Sequence, residues 1–162
     1  MTITIVPMTQ AYARMIPEWR YEGIYSFYNH NEENADAYMD GTHFAALNTS
    51  DEFIGYFCFG FEARIPTVEV NVYEDDCLDI GLGLRPDLCG KQHGQSFLSA
   101  GMKYAQQTFC AQTLRLSVAV FNERAIKVYK KAGFSVVREV TNAYFKNQFL
   151  IMRCIICDCP YN

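Results

Sequence analysis

Apolar and polar positions alternate most regularly from Leu78 to Leu84, where Leu78, Ile80, Leu82 and Leu84 fall on one face of a strand and Asp79, Gly81 and Gly83 on the other. Glycines leave that second face without side chains, so the pattern predicts either a bulge or the close approach of something flat. Pro86 ends the strand. After a short loop containing Gly90 and Gly94 the period becomes helical, with Phe97, Leu98, Gly101, Met102, Ala105 and Phe109 as the apolar positions. A further stretch, Asn122 to Phe134, opens on a good N-cap, carries an acid in its first turn and lysines in its last, and stops at Gly133. It is a complete short helix that places Asn122 and Tyr129 on one face, with Ile126 between them. It follows a strand, Leu114 to Val120, that can lie beside the first.

The remaining elements fill in around these. Thr2 to Val6 reads as a short strand, and Thr9 as the cap of a helix carrying Tyr12, Met15 and Ile16 that Pro17 stops or kinks. Trp19 to Tyr28 is unusually aromatic; the bland reading is core packing between the first helices. Asn34 to Asp40 reads as a short acidic helix closed by Gly41. His43 to Asn48 and Phe53 to Phe61 form a hairpin whose second strand, apolar on both faces, belongs in the middle of a sheet. Glu62 to Asp76 is an acidic loop or edge, and Phe134 to Thr141 pairs with Gln148 to Ile156 as a closing hairpin. The order predicts one domain, residues 1–162, built as an α/β fold: a mixed, mostly antiparallel sheet of about seven strands with helices on both faces.

Composition narrows the partners. A net charge of -4 and a pI near 5.3 argue against nucleic acid or an anionic membrane, both of which demand a basic face, and fit a cationic acceptor such as a protonated amine. The 7 cysteines show no secreted-scaffold pattern and no signal peptide precedes them, so the chain reads as cytoplasmic and reduced. Cys154, Cys157 and Cys159 invite a zinc reading, but a tetrahedral site needs a fourth ligand, and free thiols are the expectation. Assembly as a homodimer is left open.

Strand, glycine loop and helix start together suit an anion, because the first amides of a helix have no intrahelical partner and loop amides add to them. Lys91, and His93 if protonated, would add charge. Plain turns share this pattern, so the loop alone leaves phosphate binding and a simple connection both open. The segments Arg85-Pro-Asp-Leu-Cys-Gly-Lys-Gln-His-Gly94 and Phe121-Asn-Glu-Arg-Ala-Ile-Lys-Val-Tyr-Lys-Lys-Ala-Gly-Phe134 resemble, respectively, the pyrophosphate loop and the second motif of the GCN5-related N-acetyltransferase (GNAT) family. The second match is highly specific, and the chain looks like bacterial members with a Trp-x-Tyr-rich N-terminal part, here Trp19-Arg20-Tyr21. The loop departs from the family pattern at Cys89, where arginine or glutamine is usual, and at Gln92, where glycine is usual. Holding a non-glycine residue at positive φ costs roughly 1 kcal/mol.

The resemblance implies acetyl transfer from acetyl-CoA to an amine, directly within a ternary complex. It implies that the strand end near Leu84 offers backbone groups to the pantetheine arm and the thioester oxygen. Cys89, Gly90, Lys91, Gln92, His93, Gly94, Gln95 and Ser96 would form the pyrophosphate cradle, and Asn122 would hydrogen-bond the cofactor. Tyr129 would protonate the leaving thiolate, which a phenol can do at neutral pH. Trp19, Tyr21 and Tyr25 would wall the acceptor pocket. Asp79, on the glycine face, is the candidate base, acting directly or through water, against an equal reading as an ordinary strand-end carboxylate; Glu69 is a weaker candidate. The rival readings are a non-catalytic acyl-CoA-binding module and an interaction protein on the same fold.

Overall fold

The computed structural model describes residues 1–29 and 35–156. Its strands are β1 (Thr4–Pro7), β2 (His43–Leu47), β3 (Phe53–Phe59), β4 (Leu78–Leu84), β5 (Thr113–Ala119), β6 (Ser135–Thr141) and β7 (Gln148–Ile155). Its α-helices are α1 (Gln10–Met15), α2 (Gly94–Phe109) and α3 (Glu123–Lys131). The strands form one 7-stranded sheet in the order β1-β2-β3-β4-β5-β7-β6. Every neighbouring pair is antiparallel except β4 with β5. The β2–β3 and β6–β7 pairs are hairpins, and the crossover through α2 supplies the parallel pair, which a short turn cannot make.

β3 lies inside the sheet because both of its faces are covered. On one face Phe57 stacks on Phe97 of α2 with ring centroids 4.5 Å apart. On the other Trp19 and Tyr12 stack on Phe53 at 5.4 and 4.9 Å. The inward stripe of α2 is Phe97, Leu98, Gly101 and Ala105, at helical spacing, while Phe109 at its last turn is 42 % exposed. Gly101 is a requirement of this packing: a Cβ there would overlap the Phe57 ring.

The glycine face of β4 carries no bulge, since its register with β3 runs unbroken from Phe59↔Ile80 to Gly55↔Leu84. The flat group expected there is the ring of Tyr56, which occupies the space a side chain at Gly83 would need. The register shift lies instead in the β2–β3 pair, at Ala46/Leu47.

In the acidic stretch expected to form a helix, Ala35–Tyr38 make a single 3-10 turn, and Asn34 lies outside the described residues. Trp19 to Tyr28 is not a plain loop either, because Gly23–Tyr28 winds into 3-10 helix. Cys154 is buried, and Cys157 and Cys159 lie outside the described residues. No helix among the described residues is long and apolar enough to cross a membrane.

Gly101→Ala is expected to lower the unfolding free energy by about 1–3 kcal/mol despite alanine's better helix propensity, because the methyl group drives into a stacked aromatic pair. Urea denaturation with an unchanged m-value would check this.

Candidate active site

β4 and β5 are held together only at their first residues. Their ladder consists of Leu78↔Leu114 and Asp79↔Arg115, and beyond it β5 follows β7 while β4 stays with β3. The last rung carries an ion pair. Arg115 donates from Nε and Nη2 to the two carboxylate oxygens of Asp79, each at 2.7 Å, with both side chains almost wholly buried. Arg64 adds a bond from Nε to Asp79 Oδ2 at 2.8 Å, so the segment after β3 is tied to the same point.

Past that rung the sheet opens, and the ladder decides which backbone groups face the opening. Gly60 N donates to Asp79 O at 2.9 Å and Arg85 N to Ile54 O at 2.8 Å, so the odd-numbered residues of β4 bond toward β3. In an antiparallel ladder the alternate residues point the other way. Beyond the last shared rung Leu82 and Leu84 therefore turn their amides and carbonyls toward β5, across a gap where no strand among the described residues meets them. The Leu84 carbonyl is already taken, accepting from the Tyr21 hydroxyl at 2.9 Å. The gap widens into a cavity of about 880 Å3 that reaches both faces of the sheet, from Phe97 on one to Trp19 and Tyr56 on the other.

One end of the cavity meets the loop before α2. Gly90 and Gln92 both adopt left-handed backbone, at φ 73 and 63°, so the glutamine carries the strain expected of it. Within α2 the first bond back to the loop is Phe97 N to His93 O, which leaves the preceding amides outside the helical ladder. Gly94 packs closely on α3, since a Cβ there would stand 3.1 Å from Val128 Cγ2. Cys89, Gly90, Gln92 and Gly94 line the cavity; Lys91, His93, Gln95 and Ser96 do not. The Cys89 thiol leans on the Leu84 carbonyl at 3.5 Å, and the Ser96 hydroxyl donates to His93 O at 3.0 Å.

α3 faces the same space. Tyr129 is 8 % exposed, lines the cavity, and makes no hydrogen bond through its hydroxyl among the described residues. Burial, with Tyr28 nearby, pushes its phenol well above the ordinary value, so it is a protonated donor at neutral pH. Asn122 is busier than its motif suggests. Its Oδ1 caps α3 by accepting from Ala125 N at 3.2 Å, and its Nδ2 donates to the Tyr28 hydroxyl at 3.0 Å.

The aromatic segment divides its work. Trp19 is buried against Phe53 and Tyr56 and also borders the cavity; Tyr21 is bonded to β4; and Tyr25 lies flat beneath the Arg124 guanidinium at 3.7 Å. Core packing and cavity wall are thus both filled by these residues.

Two expectations need correction. Asp79 is no free base: both oxygens are consumed by guanidinium groups, and it does not line the cavity. Glu69 is equally committed, accepting from Thr141 N at 2.8 Å and Thr141 Oγ1 at 3.0 Å, bonds that draw its pKa below the ordinary carboxylate value. Conversely, Tyr28, Arg124 and His43 line the cavity without having been singled out. Arg124, whose Nη1 stands 3.2 Å from where a Cβ at Gly90 would lie, was legible as a cation in the first turn of a helix beside an anion loop. Tyr28 and His43 had no such local sign.

Residues 3–135 match the sequence model of the acetyltransferase (GNAT) domain family. No curated protein matches the chain. Among solved structures, a chimera of the spermidine N-acetyltransferase SpeG from Vibrio cholerae with hSSAT superposes with a TM-score of 0.74 at 16 % identity, covering 96 % of each chain. Mutant forms of the V. cholerae spermidine/spermine N-acetyltransferase SpeG superpose at 0.69 and 15 % identity over 95 % of each chain. The V. cholerae enzyme with manganese ions gives 0.68 and 15 % over 94 % of this chain and 92 % of that one. At such identities the likeness establishes the fold, with its mixed sheet and helices.

Asp79→Ala is expected to cost about 3–5 kcal/mol of stability, because it strands the Arg115 charge in the interior. The double variant Asp79→Leu/Arg115→Met should recover most of that loss in chemical denaturation. An Asp79→Ala protein as stable as the wild type would refute the structural role.

Proposed function

The chain belongs to the GNAT acetyltransferase family and is an N-acetyltransferase that acts on an amine; from that premise we propose that it uses acetyl-CoA and transfers the acetyl group directly to a primary amine in a ternary complex. The observation that carries this reading is the unpaired β4 edge in mid-sheet, lining one cavity with Tyr129 and leading to the start of α2, whose first amides lie outside the helical ladder. A pantetheine arm is a chain of amides, and it fits a strand edge whose Leu82 N–H and C=O lack a neighbour. A diphosphate fits the start of α2, where amides and the helix dipole converge. Arg124, held flat by Tyr25 beside Gly90, adds a fixed cation to that end.

Acetyl-CoA supplies an activated acyl carbonyl and a thiolate leaving group. The protein supplies position and protons. Leu82, with its backbone turned into the gap, orients the acyl end along the edge. Asn122 and Tyr28 hold the N-terminus of α3 against the aromatic segment, which sets where Tyr129 stands. Tyr129, kept protonated by burial, donates its hydroxyl proton to the departing sulfur. The rings of Trp19, Tyr21, Phe27 and Tyr56 exclude water from the opposite side and receive the body of the acceptor.

The charge around the cavity bears on the acceptor's class. Among the described residues that line it, Glu62 is the one carboxylate, against Arg64, Arg124 and Lys127. A polyamine places several positive charges in such a space and finds one counter-charge. A monoamine with an apolar or aromatic body meets aromatic walls and places a single charge there.

Coenzyme A release from acetyl-CoA, followed across a panel of phenylethylamine, spermidine, free amino acids and a lysine peptide, is expected to be fastest with phenylethylamine. Fastest turnover with spermidine would overturn the monoamine assignment, and no turnover with any amine would overturn the acetyl-CoA reading. Tyr129→Phe should lower kcat at least tenfold, more than about 1.4 kcal/mol of transition-state stabilisation, with little change in acetyl-CoA affinity. Gln92→Gly, which relieves a left-handed glutamine, should leave acetyl-CoA binding unchanged or tighter in calorimetry; weaker binding would show that the glutamine makes a contact of its own.

A further inference from the structure

His43 begins β2 and stands opposite Cys58 of β3, which stands opposite Gly81 of β4. Residues facing each other across adjacent strands share a face of the sheet. The imidazole therefore projects on the glycine face of β4, the side of Tyr56 and Trp19 where the acceptor's body would rest, and it lines the cavity. Its Nδ1 is 2.9 Å from Asp40 Oδ1. Asp40 also accepts from Thr42 N and Thr42 Oγ1, each at 2.8 Å. Burial works against this carboxylate, but the bonds from His43 and Thr42 more than offset it, and its pKa lies below the ordinary value.

A carboxylate only accepts hydrogen bonds, so the shared hydrogen is on Nδ1. In the neutral ring Nε2 then holds the lone pair, and nothing among the described residues bonds to it. Tyr38 meets the ring edge-on at 5.2 Å and Tyr56 lies at 6.0 Å. The neighbouring Cys58 thiol is pushed up to about 11 by burial, with Asp40 and Glu62 adding to the shift.

An amine reaches the enzyme as an ammonium ion and must lose a proton before it can attack. Of the other groups on hand, Glu62 also lines the cavity and is the rival acceptor; the rest cannot take the proton. Asp79 and Glu69 are committed to Arg115, Arg64 and Thr141. The cavity phenols Tyr21, Tyr28, Tyr56 and Tyr129 are held protonated by burial.

Building on the acetyl-transfer reading above, we propose that His43 is the general base, accepting the first proton of the acceptor ammonium at Nε2 through water in the cavity, with Asp40 as the positioning residue that fixes its tautomer. The ammonium N–H breaks as the Nε2–H forms. The freed nitrogen pair makes the new C–N bond as the C–S bond gives its pair to sulfur. Tyr129 gives the sulfur its proton and regains one from the same nitrogen, which ends as an amide N–H. The proton on Nε2 leaves to solvent with the products.

The test compares phenylethylamine with its β,β-difluoro analogue, which has nearly the same shape but a far more acidic ammonium, so that much of it is already neutral at pH 7. His43→Gln is expected to lower kcat/KM for phenylethylamine about a hundredfold and to leave the difluoro analogue within about threefold, with acetyl-CoA binding unchanged in calorimetry. Asp40→Asn should give a smaller loss with phenylethylamine and, like His43→Gln, leave the difluoro analogue within about threefold. If His43→Gln does not fold, the same split between the two amines in Asp40→Asn decides the matter. Equal losses on the two amines, or no loss on either, would overturn the assignment of His43 while acetyl transfer by the wild type stands. A wild type that acetylates no amine overturns both readings together.

Discussion

The buried pair of Asp79 and Arg115 fixes where the sheet divides. It occupies the last rung shared by β4 and β5, and on that rung a bidentate bond locks two backbones that part immediately afterwards. A buried carboxylate survives only with its charge matched, so the strands are pinned at this point and at no later one. Arg64 adds the segment after β3 to the same anchor and draws it over the bare surface of β4, where Ala63 comes to rest near Gly81.

Once the division is fixed, the remaining site follows from which neighbour each strand keeps. β4 stays with β3 and β5 with β7, so one edge of β4 runs unpaired through the middle of a sheet. Unsatisfied backbone in an interior is costly, and here it faces a cavity, open to a ligand that carries its own amides. The aromatic segment then closes one side: Tyr21 reaches the Leu84 carbonyl, and Tyr28 reaches Asn122 at the start of α3. These two bonds join residues far apart in the chain and set the width of the opening that Tyr129 overlooks.

The loop shows how a departure from the family's usual residues is absorbed. Gln92 takes the left-handed backbone that glycine would adopt more cheaply, and α2 still starts at Gly94 against Val128. A penalty of about 1 kcal/mol is small beside the burial of Phe97 and Leu98, which anchor the same helix. Cys89 turns its thiol onto the chain behind it, so at that position the loop presents main chain to the cavity, with Arg124 beside Gly90.

By itself the sequence determined the elements whose causes are local: the strand from Leu78 to Leu84, the glycine loop, the helix capped by Asn122, the two terminal strands and the placement of Tyr129 on an inward face. Period, capping and turn chemistry act within a few residues, so one chain read in order contains them. Which carboxylate is free was settled only in three dimensions. Asp79 and Arg115 are 36 positions apart and meet because parallel strands put them on one rung. Tyr28 and Asn122, 94 positions apart, and His43 opposite Cys58, are brought together by the sheet and by nothing in their neighbours. The availability of a side chain for chemistry depends on what already binds it, and those partners come from distant strands.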